Sequence, residues 1–266
     1  MARFGIDLLM NPAICQLNTG SRAGGLLPLQ AACHHLLWPA RCVHCGACLE
    51  DQSEQLCAEC WADVLSCTSG AYCPTCAREV SEYAVIDRRC PTCAGQNRIL
   101  DGMARAGVYD RRFHEMVLSF KKGATELRHI LVPLADSALK GCDFYTQIDL
   151  FVPVPLHWTR RLMRGYNQAT VLARQLSHSN ARVSTALARV RATRIQPFMA
   201  SHAQRRGNVL GAFAVKSPNQ IAGRRLCLVD DITTSGATLN ECAKVLKRAG
   251  ATQVYALVLA VAGHGR

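Results

Sequence analysis

The most informative stretch of the chain is Arg225-Leu-Cys-Leu-Val-Asp230-Asp231-Ile-Thr-Thr234-Ser235-Gly236-Ala237-Thr238. It begins with the apolar run 226–229, which is typical of a strand buried on both faces. We expect the two adjacent acids to end this strand and a loop rich in hydroxyl groups to follow. Apolar residues at helical spacing predict a helix over 239–249, and a second apolar run predicts a strand over 254–261. The stretch therefore predicts a strand–helix–strand unit in a parallel sheet.

The loop in this stretch predicts a phosphate site. At a helix start the backbone N–H groups point outward, and the helix dipole favours an anion there. Carboxylates beside a phosphate would repel it, so we assign Asp230 and Asp231 another task, which is to accept hydrogen bonds from the vicinal hydroxyls of a ribose. The alternative is an ordinary strand–turn–helix with a polar cap, and the Walker pattern GxxxxGK[ST] is absent. The predicted 5-phosphate contacts are Thr234, Ser235, Gly236, Ala237 and Thr238.

Charge divides the 266-residue chain into two unlike regions. Its formal net charge of +12 combines a net −2 in residues 1–100 with a net +14 in residues 101–266. Residues 150–229 contain 13 basic residues and no acidic one, which indicates a polyanionic partner, either a nucleic acid or a phosphate-rich small molecule. The composition is 49% hydrophobic, which excludes a disordered chain. No run of 18 apolar residues is present, so we expect no membrane span.

Cysteine is concentrated in the first region. Twelve of the 15 cysteines lie before residue 94, and eight of them form four CxxC pairs separated by 11, 12 and 13 residues. A CxxC turn presents two sulfurs on one side of a tight knuckle, which is half of a tetrahedral zinc site. The predicted ligands are Cys42, Cys45, Cys57, Cys60, Cys73, Cys76, Cys90 and Cys93.

These eight ligands predict one or two structural zinc ions, because four thiolates leave no open coordination position. Sequential pairing of the knuckles and an interleaved pairing are both compatible with the spacing, and Cys48 and Cys67 are treated as spare. No export signal is evident, so we expect a reducing cytoplasm in which the thiols bind metal rather than form disulfides. Few apolar residues separate the knuckles, so metal binding is expected to supply the folding energy of this region.

Two composition changes predict the domain organisation. Residues 1–35 include the stretch 18–25 (NTGSRAGG) and are interpreted as a flexible extension. Residues 36–100 would form the zinc-binding domain. Residues 101–266 would form an α/β domain with a mainly parallel sheet and flanking helices.

The stretch 226–238 resembles the signature of type I phosphoribosyltransferases, with Thr233 as its one departure. In that family the two acids contact the ribose of 5-phosphoribosyl 1-pyrophosphate (PRPP), and the loop holds the 5-phosphate. Further segments resemble the ComF family (the ComFC/GntX group): the PVPL of 153–156, the RGYNQ of 164–168, the basic segment 194–208 and the preceding CxxC array. The resemblance covers about residues 36–262, and it implies the type I fold with a flexible hood, here residues 182–208.

The resemblance also places a pyrophosphate loop near the end of the second strand. Arg164 is the preferred pyrophosphate contact, with Lys121 as a further phosphate contact and Mg²⁺ accompanying PRPP. A groove for single-stranded DNA is the alternative interpretation of the remaining positive charge, although aromatic residues make up only 6% of the chain. The candidate nucleic-acid contacts are Arg160, Arg161, Arg191, Arg194, Arg205 and Arg206.

Three functions remain open at this point. The first is transfer of a phosphoribosyl group from PRPP to an acceptor. The sequence identifies neither this acceptor nor a catalytic residue. The second is a non-catalytic adaptor whose PRPP pocket is a sensor or relic. The third is handling of single-stranded DNA. ComF relatives are associated with natural competence and use of external DNA, beside a helicase-like competence protein and single-strand-binding proteins. The resemblance implies this role here.

Overall fold

The structure, a computed structural model, describes residues 40–51, 53–81, 83–96, 98–176, 181–193 and 202–262. The predicted extension, residues 1–35, and the candidate contact Arg194 lie outside these ranges. Across the described ranges, no helix combines the length and the apolar character that crossing a bilayer requires.

The secondary structure follows the predicted order. The strands are β1 (Gly102–Val108), β2 (Leu150–Pro153), β3 (Arg182–Val183), β4 (Leu187–Arg189), β5 (Phe213–Val215), β6 (Arg225–Thr233) and β7 (Gln253–Val261). The α-helices are α1 (Ala58–Thr68), α2 (Pro91–Ala94), α3 (Arg111–Lys122), α4 (Arg128–Lys140), α5 (Trp158–Arg164), α6 (Gln168–Gln175), α7 (His202–Val209) and α8 (Ala237–Arg248). Short 3-10 helices cover Thr125–Leu127, Tyr145–Gln147 and Pro218–Gln220.

Five strands form one parallel sheet in the order β1-β7-β6-β2-β3. The chain leaves β6 through α8 to reach β7 on one side, and it leaves β2 through α5 and α6 to reach β3 on the other. The connections that follow β6 and β2 therefore lead to opposite sides of the sheet, although the two strands are parallel neighbours. In open α/β sheets a ligand binds at the carboxyl ends of the strands at such a point. A separate antiparallel pair, β4 with β5, packs against α8, which also contacts α7.

Strand β6 is longer than predicted. The two acids do not end it, because β6 continues to pair with β7 at Ile232–Ala260 and Thr233–Val261. Its other neighbour ends earlier, since the last pair between β2 and β6 joins Pro153 to Val229. The acids therefore lie where β6 has a neighbouring strand on one side only.

The sheet is covered on both faces, and the alternation of β6 shows this directly. Cys227 and Val229 belong to a core that includes side chains of α3 and α4, whereas Leu226 and Leu228 belong to a second core with α8. The observed helix α8 begins at Ala237, two residues earlier than predicted.

The zinc-binding region packs directly on this sheet. Pro74 O accepts a hydrogen bond of 2.8 Å from Met103 N on the edge strand β1, so the region covers an edge that would otherwise expose backbone donors. At Gly107 of β1 a side chain would be too close to its neighbours, because an added Cβ would lie 3.0 Å from Cys67 O and 2.8 Å from Phe113.

Apolar side chains also contribute to the stability of the zinc-binding region. Leu56 and Val64 are buried in the same core as residues of the helices that cover the sheet. Metal binding is therefore not the only source of folding energy here, contrary to the expectation from sequence. The proposed domain boundary near residue 100 stays a prediction.

Candidate functional site

Strand geometry separates the two predicted ribose contacts. Successive side chains of a strand point to opposite faces, so Asp231 lies on the α3 side of the sheet and Asp230 on the α8 side. Each carboxylate also accepts a backbone N–H, from Asp231 N to Asp230 Oδ1 at 2.9 Å and from Ile232 N to Asp231 Oδ1 at 2.7 Å. These bonds fix the orientation of both carboxylates at the carboxyl end of β6.

Lys121 reaches this edge from the last turn of α3. Its Nζ lies 3.2 Å from Asp231 Oδ2, and both side chains are largely shielded from water, with 21% and 13% exposed. Lys121, a predicted phosphate contact, therefore lies within reach of a predicted ribose contact as well. The Lys121 ammonium therefore compensates the negative charge of Asp231, which is one of the two adjacent carboxylates.

The RGYNQ segment holds Lys121 in place. The Tyr166 hydroxyl donates to Phe120 O, and Gln168 Nε2 donates to Lys121 O at 3.1 Å. Asn167 Nδ2 donates to Val154 O at 3.0 Å, just beyond β2. The amides of Asn167 and Gln168 bind backbone carbonyls and so join α3 to the end of β2.

The predicted phosphate loop has the geometry that its glycine suggests. Gly236 is left-handed, with a φ of +72°, and precedes the first residue of α8. Ser235 Oγ accepts a hydrogen bond of 3.4 Å from Ala237 N. The Thr234 hydroxyl is buried and has no hydrogen-bond partner. A buried donor without a partner is costly in a folded protein, so this hydroxyl is available to a bound group.

Two residues near the site were missed from the sequence. Arg98 precedes β1, and a Cβ added at Gly236 would lie 3.2 Å from its Nη1. Tyr109 follows β1, and the Asp231 carboxylate contributes, after burial, to raising the pKa of its phenol. Neither residue belongs to a motif, so no sequence signal identified them.

The surroundings of Asp230 raise the pKa of its carboxyl group. Burial raises its pKa well above the ordinary carboxyl range, and the negative charge of Asp231 adds to that effect. The positive charge of Lys121 opposes it. A group with this property is typical of binding and catalytic sites.

The remaining basic residues are placed differently from one another. Arg164 is exposed at the end of α5, which also contains Arg160 and Arg161. Arg191 Nη2 donates to Asn208 O at 3.0 Å and to Leu210 O at 2.7 Å, so its guanidinium stabilises the connection to α7. Arg205 and Arg206 lie on α7, where Arg206 is exposed. The flexibility of the hood stays a prediction.

The cysteines form two separate clusters and settle the pairing of the knuckles as sequential. Cys42, Cys45, Cys57 and Cys60 have sulfurs within 4.8 Å of one another, and so do Cys73, Cys76, Cys90 and Cys93. Four thiols at this separation are the donor set that structural zinc requires. In the second cluster the hydrogen bond from Cys76 lowers the pKa of Cys73 to about 4, so one thiol ionises readily even before a cation is considered.

Comparison with known proteins agrees with both parts of this structure. A double zinc ribbon domain family matches residues 33–94, and a phosphoribosyl transferase domain family matches residues 161–266. Competence protein F of Haemophilus influenzae is 32% identical over 227 residues, which cover 83% of this chain and 96% of that protein. The chain belongs to the ComF family. The predicted family and fold class are therefore confirmed.

Other matches cover less of this ComF protein. DNA utilization protein YhgH of Escherichia coli O157:H7 is 39% identical over 109 residues, which are 40% of this chain and 46% of that protein. Among solved structures, the allosteric regulatory enzyme of purine biosynthesis aligns with 50% of this chain and 26% of that one, at 17% identity and a TM-score of 0.34.

Replacing Cys60 tests whether each of the two cysteine clusters holds a zinc ion. We expect Cys60→Ser to reduce the zinc content from two ions to one per chain. The free energy of unfolding should fall by more than about 3 kcal/mol, because loss of a metal site belongs to the most damaging substitutions. Emission spectroscopy and thermal unfolding measure the two effects. Cys48→Ser is the matched control, since Cys48 is exposed and outside both clusters; loss of zinc in that variant would contradict the assignment.

The raised pKa of Asp230 predicts a stability that depends on pH. Between about pH 4 and the higher native pKa, the native carboxyl keeps a proton that the unfolded chain has lost. Wild-type stability should therefore decrease with rising pH relative to Asp230→Asn, by at most about 1.4 kcal/mol per pH unit. Thermal unfolding at pH 6.0 and 7.5, without ligand, measures the difference.

Asp149 provides a control of opposite sign for that measurement. A hydrogen bond from the Arg225 side chain lowers the pKa of Asp149, so its ion pair stabilises the protein at neutral pH and the stabilisation disappears on acidification. Asp149→Asn should therefore destabilise the protein at both pH values. Stabilisation by both substitutions would indicate a general charge effect rather than burial of Asp230.

Proposed function

We propose that this protein binds PRPP at the carboxyl end of β6 and acts as a phosphoribosyltransferase. The observation that carries the proposal is the combination at one crevice of two carboxylates on β6 and a glycine-turned loop with a buried, unpartnered hydroxyl. In this assignment Asp230 and Asp231 hold the ribose hydroxyls. Residues 234–238 hold the 5-phosphate at the start of α8, where backbone donors and the helix dipole favour an anion.

The same edge suits a magnesium ion that accompanies PRPP. Mg²⁺ prefers carboxylate, phosphate and water oxygens, and the carboxylates of Asp230 and Asp231 supply such oxygens. When bound, the ion would neutralise charge on the pyrophosphate. Asp230 would have to be ionised for this, and a nearby cation favours the ionised form.

Lys121 and Arg164 are proposed to contact the pyrophosphate. The Lys121 ammonium, which faces Asp231 in this structure, is close enough to the crevice to serve an incoming anion. In the transfer, the bond from the ribose anomeric carbon to pyrophosphate breaks, and a bond from that carbon to an acceptor forms. Cations and loop donors that face the leaving pyrophosphate would stabilise it as its charge develops.

The cellular role that we propose is natural competence and the use of external DNA in the cytoplasm. The support is the relationship to competence protein F and to DNA utilization protein YhgH. Single-stranded DNA, a competence helicase-like protein and single-strand-binding proteins are the proposed macromolecular partners. The proposed division is a zinc-binding domain over 36–100 and a phosphoribosyltransferase domain over 101–266.

Calorimetric titration with PRPP and Mg²⁺ tests the binding site. Wild type should bind, and Asp230→Asn and Asp231→Asn should each weaken binding at least about tenfold, because each removes a charged hydrogen-bond acceptor. Asp143→Asn is the matched control, since this exposed carboxylate pairs with Arg88 away from the crevice. Absence of PRPP binding in the wild type, or equal heats in all variants, would contradict the proposal.

A second candidate function is binding of single-stranded DNA by α5, with the PRPP pocket as a sensor or relic. Helix α5 follows β2 at the same edge of the sheet and exposes Trp158 by 64%, Leu162 by 75% and Met163 by 87%, next to the exposed Arg164. An exposed indole on the same helix as an exposed arginine is a combination on which unpaired bases stack. Arg164 belongs to both proposals, so PRPP and single-stranded DNA would compete for this residue.

Fluorescence titration with a single-stranded oligonucleotide tests the second candidate. Trp158→Ala should weaken binding by about five- to 100-fold, the range expected for losing one stacked base. Arg164→Gln should reduce the dependence of affinity on salt by about one phosphate contact. Tyr83→Ala is the control, because Tyr83 is 93% exposed on the zinc-binding region. An affinity that salt does not change would argue against a phosphate-contacting surface.

A further inference from the structure

Arg98 approaches the predicted phosphate loop from outside the strand–helix unit. It lies five residues after the last zinc ligand, Cys93, and four residues before β1. Its Nη1 lies 3.2 Å from the position that a Cβ at Gly236 would occupy. The connection between the zinc-binding region and the sheet therefore places a guanidinium against the start of α8.

Two polar atoms at this place are buried without hydrogen-bond partners. They are Arg98 Nε and the Thr234 hydroxyl oxygen. Buried polar groups are nearly always paired. Thr234 precedes Gly236 by two residues and the Arg98 guanidinium lies against Gly236, so both atoms belong to groups next to this glycine. A phosphate oxygen would accept a hydrogen bond from each.

The connection is fixed at both ends, so Arg98 is not a freely moving surface residue. Gln96 Oε1 accepts a hydrogen bond of 3.1 Å from Arg98 Nη2, and Gln96 N donates to Cys93 O at 3.1 Å. On the other side, Ile99 N donates to Asn240 Oδ1 of α8 at 2.9 Å. The second cysteine cluster and the first turn of α8 thus hold the backbone on the two sides of Arg98.

We propose that Arg98 binds the 5-phosphate of the ligand, together with the loop 234–238. The inference rests on the proposed PRPP site and adds a residue from the zinc-to-sheet connection to it. Guanidinium is permanently charged, and its fork of donors matches phosphate geometry. Arg98 would therefore favour phosphorylated over unphosphorylated ribose, whereas Asp230 and Asp231 interact with the sugar.

Titration calorimetry with ribose 5-phosphate, and with PRPP and Mg²⁺, tests this assignment in the full chain. Arg98→Gln should weaken both ligands at least about tenfold, the loss expected for a hydrogen bond between charged groups. Arg98→Lys keeps the positive charge but lacks the Nε donor. It should therefore weaken binding of both ligands less than Arg98→Gln does. Arg224→Gln is the matched control, because it removes the same charge from an exposed position that precedes β6 at the opposite end of the sheet.

The outcomes separate this inference from the proposed function. PRPP binding that is equal in wild type, Arg98→Gln and Arg98→Lys would overturn the role of Arg98 and leave the PRPP site intact. Absence of binding in the wild type would overturn both. Thermal unfolding without ligand shows whether each variant folds, and if Arg98→Gln does not, Arg98→Lys and Thr234→Val decide: unchanged affinity for ribose 5-phosphate in both would overturn the assignment.

Discussion

The pairing of β6 with β7 on one side and with β2 on the other determines where the polar residues of the candidate site lie. Both neighbours hold β6 in register as far as Val229, and beyond it only β7 continues. Two carboxylates therefore lie at the carboxyl end of β6 while their backbone remains part of the sheet. Lys121 and the loop after β6 lie beside this end of β6, whose backbone position is fixed by its hydrogen bonds to β7.

Positive charge in the second region serves more than one purpose. Arg225 pairs with Asp149, Arg105 donates to Ala77 O, and Arg191 donates to carbonyls near α7. These cations hold the fold together and are not all available to a polyanion. Among the described basic residues of that region, Lys121 lies beside Asp231 and Arg164 is exposed at the end of α5.

Sequence patterns predicted the parts of this structure that depend on local chemistry. The strand, loop and helix around Asp230 follow from apolar periodicity and a glycine turn, and the zinc ligands follow from repeated CxxC spacing. The end of β6 was not predictable in this way, because it depends on how far β7 extends beside it. The pairing of knuckles and the position of Arg98 depend on contacts between distant segments, which periodicity does not record. The role of Asn167 and Gln168 in joining α3 to β2 was not predictable either, because an amide looks the same in sequence whether it binds a ligand or a carbonyl.

The close approach at Gly107 has a consequence for how proteins of this kind can change over evolutionary time. Because Cys67 O and Phe113 both lie against this one position, the zinc-binding region and the sheet share a surface that neither can alter alone. A recombination event that joined the first hundred residues of one relative to the rest of another would bring together two surfaces shaped against different partners. The two regions are therefore inherited most safely as a unit, although their compositions differ so strongly.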